Sequence, residues 1–225
     1  QVVSLLHSTP QESLQKALDQ TVTALQCSGG RLYLPKKESA SDAQLILSGI
    51  QPELDMTSKT ARQQPVLEQL PDWQAWLAAE APNQMVDQLW VIADIKQTKL
   101  SWALTSALMG QNIRSVLVAR LAHRDRFLGY LSLFRQSIDY ETIWAGQLDA
   151  SDPRQSRPRQ SFETWRELKQ DQAHPWAAKD IGLAQALTEQ FTSVIYQTQL
   201  YHEVQALNTE LEARVLQRTT ELQQL

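Results

Sequence analysis

Cysteine occurs once in these 225 residues, at Cys27, so no internal disulfide and no cysteine-rich metal site can form. The four histidines, His7, His123, His174 and His202, lack the spacing of a metal-ligand set. Long apolar runs are missing as well; nothing approaches the roughly 18 residues a membrane span needs. No secretory leader is legible, and the chain opens and closes inside helical patterns, so we expect a soluble, cytoplasmic piece of something longer. A basic surplus is absent: 21 Lys and Arg face 25 Asp and Glu, a formal net charge of −4. That excludes a general nucleic-acid binder, which must neutralise phosphates. Arg154, Arg157 and Arg159 form one local basic spot between Pro153 and Pro158, read as a solvated loop. Glycine-rich phosphate loops are lacking, and no nucleophile–base constellation can be nominated. We expect a non-catalytic segment.

What is present suffices for a core, with 42% hydrophobic residues. Thr9-Pro10-Gln11-Glu12 is a capping box with proline at the first helical position. Leu14, Ala17, Leu18, Thr21, Val22 and Leu25 fall on one face of the helix it opens, and Ser28-Gly29-Gly30 should break it. Arg31–Leu34 and Gln44–Leu47 read as strands. Residues 50–70 read as loop, and Asp72–Ala79 as a short helix turning Trp73, Trp76 and Leu77 to the core. Leu89–Ile95 is a further strand. Leu100, Ala103, Leu104, Ala107 and Leu108 give a helical stripe stopped by Gly110. Ile113–Leu121 and Phe127–Phe134 form a hairpin around HRDR, apolar on both faces, so the sheet should be covered on both sides. The sum is an α+β fold, an antiparallel sheet flanked by helices. We divide it into a core at 1–135, an extension at 136–176, and a C-terminal helix at 177–225 that completes the core and then leaves it.

The extension shows no clear periodicity, and loops that long in a compact domain are usually functional or disordered. Its aromatic residues Trp144, Phe162, Trp165 and Trp176 argue against plain disorder. Within it, Ser156–Gln170 reads two ways. As a strand, Phe162, Thr164, Arg166 and Leu168 share one face, with Glu163, Trp165 and Glu167 on the other. As a helix, Ser161 is a fair N-cap, Glu163 sits in the first turn, and Phe162, Trp165 and Leu168 form a stripe. Both readings stand on pattern alone.

Pro158-Arg159-Gln160-Ser161-Phe162 matches the PRxSF motif of phytochromes, and Trp165-Arg166-Glu167 their WxE motif. Trp144-Ala145-Gly146 resembles the WxG element on the outgoing arm of the same hairpin. Ile113–Arg135 looks like the core strands of a GAF domain. Together these resemble the tongue-bearing PHY domain, or the PHY-equivalent second GAF domain of knotless cyanobacterial phytochromes. The resemblance implies a tongue that seals the bilin pocket of an upstream chromophore-binding GAF domain, with a pigment of the phycocyanobilin type there. Contacts would come from Trp144, Gly146, Pro158, Arg159, Ser161, Phe162, Trp165 and Glu167. It also implies an output module after the C-terminal helix, a histidine kinase in most relatives. The helix Leu100–Met109 holds no cysteine or histidine to carry a pigment, and Cys27 is not where the family attaches one, so no covalent bilin is expected here. Asp94 is read as a strand-end carboxylate capping a turn. The alternative is a GAF domain that itself takes a small ligand, a cyclic nucleotide or a bilin.

From about Ala177 the chain reads as one helix of roughly 70 Å, too long for one globule. Leu200, Val204, Leu207 and Leu211 follow coiled-coil spacing, and Val215 and Leu222 continue it after a stutter. We expect parallel homodimerisation; a helix folding back on its own domain is the other reading. His202-Glu203 lacks the basic residue and proline that follow a phosphoacceptor histidine, so it is read as an exposed helix residue.

Overall fold

The structure, a computed structural model, describes residues 10–36, 39–54, 66–78, 85–86, 89–145 and 164–223. Helix α1 (Pro10–Ala24) leads into β1 (Gly29–Lys36) and β2 (Ser39–Gly49). A 3-10 turn at Leu67–Gln69 precedes α2 (Pro71–Ala78), β3 (Met85–Val86) and β4 (Leu89–Ile92). A second 3-10 turn, Ile95–Gln97, leads to α3 (Trp102–Met109), then β5 (Ile113–His123) and β6 (Arg126–Gln136). Strands β7 (Ile138–Ala145) and β8 (Thr164–Gln172) follow, and α4 (Ala178–Gln223) closes the chain.

Six strands form one antiparallel sheet in the order β2-β1-β6-β5-β4-β3, and β7 pairs with β8 in a separate ribbon. The central pair β5–β6 is apolar on both faces because both are covered. Leu117, Ala119, Leu121, Leu131 and Leu133 pack under α1 and α4, against Leu18, Val22, Ala184, Phe191 and Ile195. Val116, Val118 and Phe134 point the other way, to Trp73, Leu77, Leu104 and Leu108 of α2 and α3. Alternation of side chains along a strand produces this three-layer arrangement.

Several local readings change. Helix α1 ends at Ala24, and the turn is made by Gln26 at φ 52°, not by the glycines. Gly29 and Gly30 belong to β1, where a Cβ on Gly30 would sit 2.8 Å from Val22 Cγ2. Glycine there lets the helix lie close on the sheet. Gly110 is right-handed, and Asn112 at φ 57° reverses the chain instead. In α3, Ser101 Oγ accepts the Leu104 N–H, while Ala103 faces out. Strand β4 stops at Ile92 because Asp94 caps the next turn, accepting the Lys96 N–H. In the extension read as lacking periodicity, β7 begins two residues after β6 ends. Of the two readings for Ser156–Gln170, Thr164 onward is strand. TWRELKQDQ pairs with β7 alone, in a ribbon separate from the main sheet.

Candidate relay site at the base of the hairpin

A charged residue on a strand buried on both faces must find partners, since an unpaired buried ion is prohibitively costly. β5 and β6 carry two such residues, Arg114 and Arg135, each almost wholly buried. Both reach for the segment that joins the hairpin to α4.

Arg114 Nη2 donates to both oxygens of Asp94 at 2.9 and 3.1 Å, and Nε reaches Oδ1 at 3.2 Å. A planar guanidinium fork suits such bidentate pairing. Its other arm, Nη1, donates to the Asp171 carbonyl and lies 2.8 Å from Asp171 Oδ2. Asp171, next to the end of β8, adopts φ 53°, and its N–H donates to Asp139 Oδ1 on β7 at 2.9 Å. Lys96 Nζ also pairs with the Asp171 carboxylate. That bond, with help from Arg114, holds the Asp171 carboxyl below its ordinary range. The base of the ribbon is thus tied to the sheet.

The connector at 173–177 is tied in turn. Ser115 Oγ donates to the His174 carbonyl at 2.9 Å. Arg135 Nη1 donates to the Pro175 carbonyl at 2.7 Å, and Nη2 to the Leu25 carbonyl at 2.6 Å and Asp180 Oδ2 at 3.0 Å. The guanidinium carbon lies 3.9 Å from the centre of the Trp176 ring, a cation–π contact. Asp180 Oδ2 also accepts the Ala177 N–H, fixing the first turn of α4. Burial and the Arg135 charge lower the His174 pKa. Burial drives the Cys27 thiol up to about 11, too high for a reactive thiolate at neutral pH.

The expected contact residues fall in two groups. Trp144 stands opposite Trp165 in the β7–β8 ladder, and Glu167 opposite Thr142. Gly146, Pro158, Arg159, Ser161 and Phe162 lie outside the described residues. Leu200, Val204, Leu207, Leu211 and Val215 are exposed on α4, as is His202, and the side chain of Leu222 lies outside the described ones. Asp94 caps its turn as expected and also serves Arg114, which the sequence reading did not foresee. Sequence reasoning passed over Arg114, Arg135, Asp171 and Asp180. The available signal was an arginine inside each of the apolar runs IRSVLV and LSLFR.

On the opposite face of the sheet, a cavity of about 550 Å³ is lined by Tyr33, Glu68, Trp90, Arg120, Phe127 and Tyr130 among others. No group of three or more potential metal ligands occurs among the described residues, and no helix among them is long and apolar enough to cross a membrane.

No curated protein sequence matches this chain. Solved structures share its fold at low identity. A phycocyanobilin-bound GAF domain from a cyanobacterial phytochrome is 11% identical with a TM-score of 0.53, covering 89% of this chain and 93% of that one. A GAF domain from Synechocystis sp. in its photoproduct state is 14% identical with a TM-score of 0.51, covering 88% and 99%. The blue-light absorbing form of the Thermosynechococcus elongatus PixJ GAF domain is 12% identical with a TM-score of 0.50, covering 88% and 90%. The fold is therefore GAF-like. Residues 58–199 match the sequence model of the phytochrome region, PHY, and this chain belongs to that phytochrome family.

Proposed function

We propose that this domain is a non-catalytic relay in a light sensor. Its β7–β8 hairpin contacts the bilin pocket of an upstream GAF domain, and α4 passes the resulting movement to an output module, a histidine kinase. The observation that carries this reading is the double tie described above. Arg114 holds the foot of β8, Arg135 holds the first turn of α4, and only residues 173–177 lie between. A displacement of the hairpin arm therefore reaches the exit helix through a short, hydrogen-bonded path rather than a slack loop.

The contacts to the pigment pocket are those the resemblance implies, from Trp144, Gly146, Pro158, Arg159, Ser161, Phe162, Trp165 and Glu167. Arg159 pairs with a carboxylate of the pocket in one state, and Ser161 takes its place in the other. One charge-assisted bond contributes about 1.5–3 kcal/mol, whereas driving a two-state equilibrium from end to end takes about 5.5 kcal/mol. Exchange of Phe162 and Trp165 between covered and open positions supplies the rest, at about 25 cal/mol per Å². A strand-to-helix change shortens the arm from about 3.3 to 1.5 Å per residue, and that shortening pulls on the tied base. The bilin belongs to the upstream domain.

The test is co-expression with the upstream GAF domain, comparing photoconversion spectra and dark reversion of wild type, Arg159→Ala and Trp165→Ala. We expect both variants to shift the photoproduct spectrum or to shorten its dark lifetime. Unchanged spectra and lifetimes in both would remove the hairpin from the pigment pocket.

A further inference from the structure

Strand β6 fastens α4 at both ends of the stretch they share. Arg135, near the end of the strand, holds Asp180 in the first turn of the helix. Arg126, the first residue of the strand, reaches Glu203 at 3.4 Å, where α4 leaves the sheet. The two ties stand about 30 Å apart along β6, at about 3.3 Å per residue. Along α4 they are about 35 Å apart, at about 1.5 Å per residue. Strand and helix therefore run side by side between two fixed points.

The second tie is built at the tip of the β5–β6 hairpin. His123 stacks on Tyr196, with ring centres 4.1 Å apart and planes 21° from parallel. The Arg126 guanidinium carbon lies 6.0 Å from the centre of the same Tyr196 ring. Among the described residues, Tyr196 is the last apolar side chain of α4 packed on the core. A register shift between Leu121 and Ala122 lies just below the tip. Such a bulge bends a strand and re-aims the side chains beyond it.

The two ties differ in strength. The side chains of Arg135 and Asp180 are 2% and 17% exposed, and breaking a buried pair shifts an equilibrium by about a hundredfold or more. Those of Arg126 and Glu203 are 31% and 44% exposed, and a pair so well hydrated holds by about fivefold at most. The aromatic stack adds about as much again. A displacement of α4 against the sheet is therefore relieved at the tip.

We propose that the β5–β6 tip is a releasable clamp on the exit of α4. It opens while the Arg135–Asp180 tie holds, so the helix pivots about its first turn and the turns from Tyr196 onward swing clear of the sheet. What opens it, a pull on the connector, rests on the relay reading; the clamp itself belongs to this chain alone.

Amide hydrogen exchange on the whole chain reads the clamp, because lengthening the solvated part of a helix makes it fray. We expect Arg126→Glu to speed exchange across 196–206 about threefold or more, and to leave 180–190 within about twofold. Swapping the charges, Arg126→Glu with Glu203→Arg, should return 196–206 to within about twofold of wild type. Raising sodium chloride from about 0.02 to about 0.5 M should speed exchange in wild type across 196–206 only, since salt screens the exposed pair and not the buried one. That arm requires no variant to fold. Exchange across 196–206 that neither the variant nor salt alters would make the tip passive packing and overturn the proposal. So would an equal rise across 180–190, which would mean there is no pivot. Joined to the upstream GAF domain, wild type should exchange 196–206 at different rates in darkness and in light. Arg126→Glu should show the faster rate in both, with its photoconversion spectrum unaltered. Light-independent exchange in a protein whose spectra respond to Arg159→Ala and Trp165→Ala would take the clamp out of the signal and leave the relay standing. Spectra indifferent to those two substitutions would count against the relay and leave the clamp to the exchange measured on this chain.

Discussion

Arg135 links the end of α1 to the connector and the first turn of α4, about 150 residues further along the chain. Removing one member of a buried ion pair leaves its partners without a donor, which costs about 3–5 kcal/mol. Arg135→Met keeps the apolar stem, so we expect a loss of that size in urea denaturation at neutral pH. The pH dependence identifies the cause. Burial pushes the Asp180 carboxyl up, but the Arg135 hydrogen bond, the Ala177 N–H and nearby positive charge together bring it below its ordinary value. A depressed carboxylate contributes stability that is complete above the unfolded pKa of about 3.9 and is lost as pH falls through the folded value. In Arg135→Met burial remains while its main opponent is gone, so the shift moves upward and the variant gains relative stability on acidification. The gap between wild type and Arg135→Met should therefore narrow between pH 6 and 3; a constant gap would leave the ion pair without its assigned weight. Neither arginine was legible as a tie. A sequence shows that an arginine lies in an apolar strand, but its partners at positions 25, 94, 171 and 180 are brought together only by the fold.

Elements were read with more success, for a physical reason. The core strands and α1, α2 and α3 carry the periodic apolar pattern that burial imposes, so their existence and faces were visible in sequence. In Ser156–Gln170 the apolar residues fit strand and helix spacing equally well, and from Thr164 onward it is the backbone pairing with β7, Trp144 opposite Trp165, that makes the strand. Turn chemistry misled where a glycine stood near an ending but had a different task. Gly129 shows what such a glycine does: it lies in β6 at φ 154°, and a Cβ there would meet the Tyr33 carbonyl at 2.0 Å. The missing Cβ lets the Tyr33 carbonyl lie against β6 where its ladder with β1 ends. Gly129→Ala should cost about 1–3 kcal/mol in backbone strain and lower Tm by several degrees. Gly182 is the contrast, with nothing within 4 Å of the added Cβ in the first turns of α4. Gly182→Ala should raise stability by about 0.5–1 kcal/mol through a smaller loss of chain entropy. Thermal unfolding of the two variants together checks both signs, and a destabilised Gly182→Ala would show that α4 needs its glycine for more than space.

At the scale of the whole molecule, α4 has two lives. Ala184, Thr188, Phe191 and Ile195 recur at helical spacing and are buried on the sheet. Beyond the Arg126–Glu203 ion pair at 3.4 Å, every residue whose burial is described is exposed. Exposure along the heptad seam is 44% at Leu200 and 64% at Val215, so the domain itself does not cover it. A solvated helix of about 20 residues is marginal by itself, and a row of leucine and valine on one side is the usual means of stabilising it by pairing. We propose that a second copy of the same helix, parallel and in register, would cover these positions at once and give two such domains a common exit rod. Leu207→Asp with Leu211→Asp places carboxylates at the centre of that seam while touching no residue of the globular core. We expect sedimentation to show wild type as a dimer at micromolar concentration and the double variant as a monomer. Helical circular dichroism should fall in the variant because the unpaired distal turns fray, while near-ultraviolet signals from the buried Trp73 and Trp176 stay unchanged. A wild-type chain that sediments as a monomer, with the same helicity as the double variant, would mean the exposed seam is not where two copies meet.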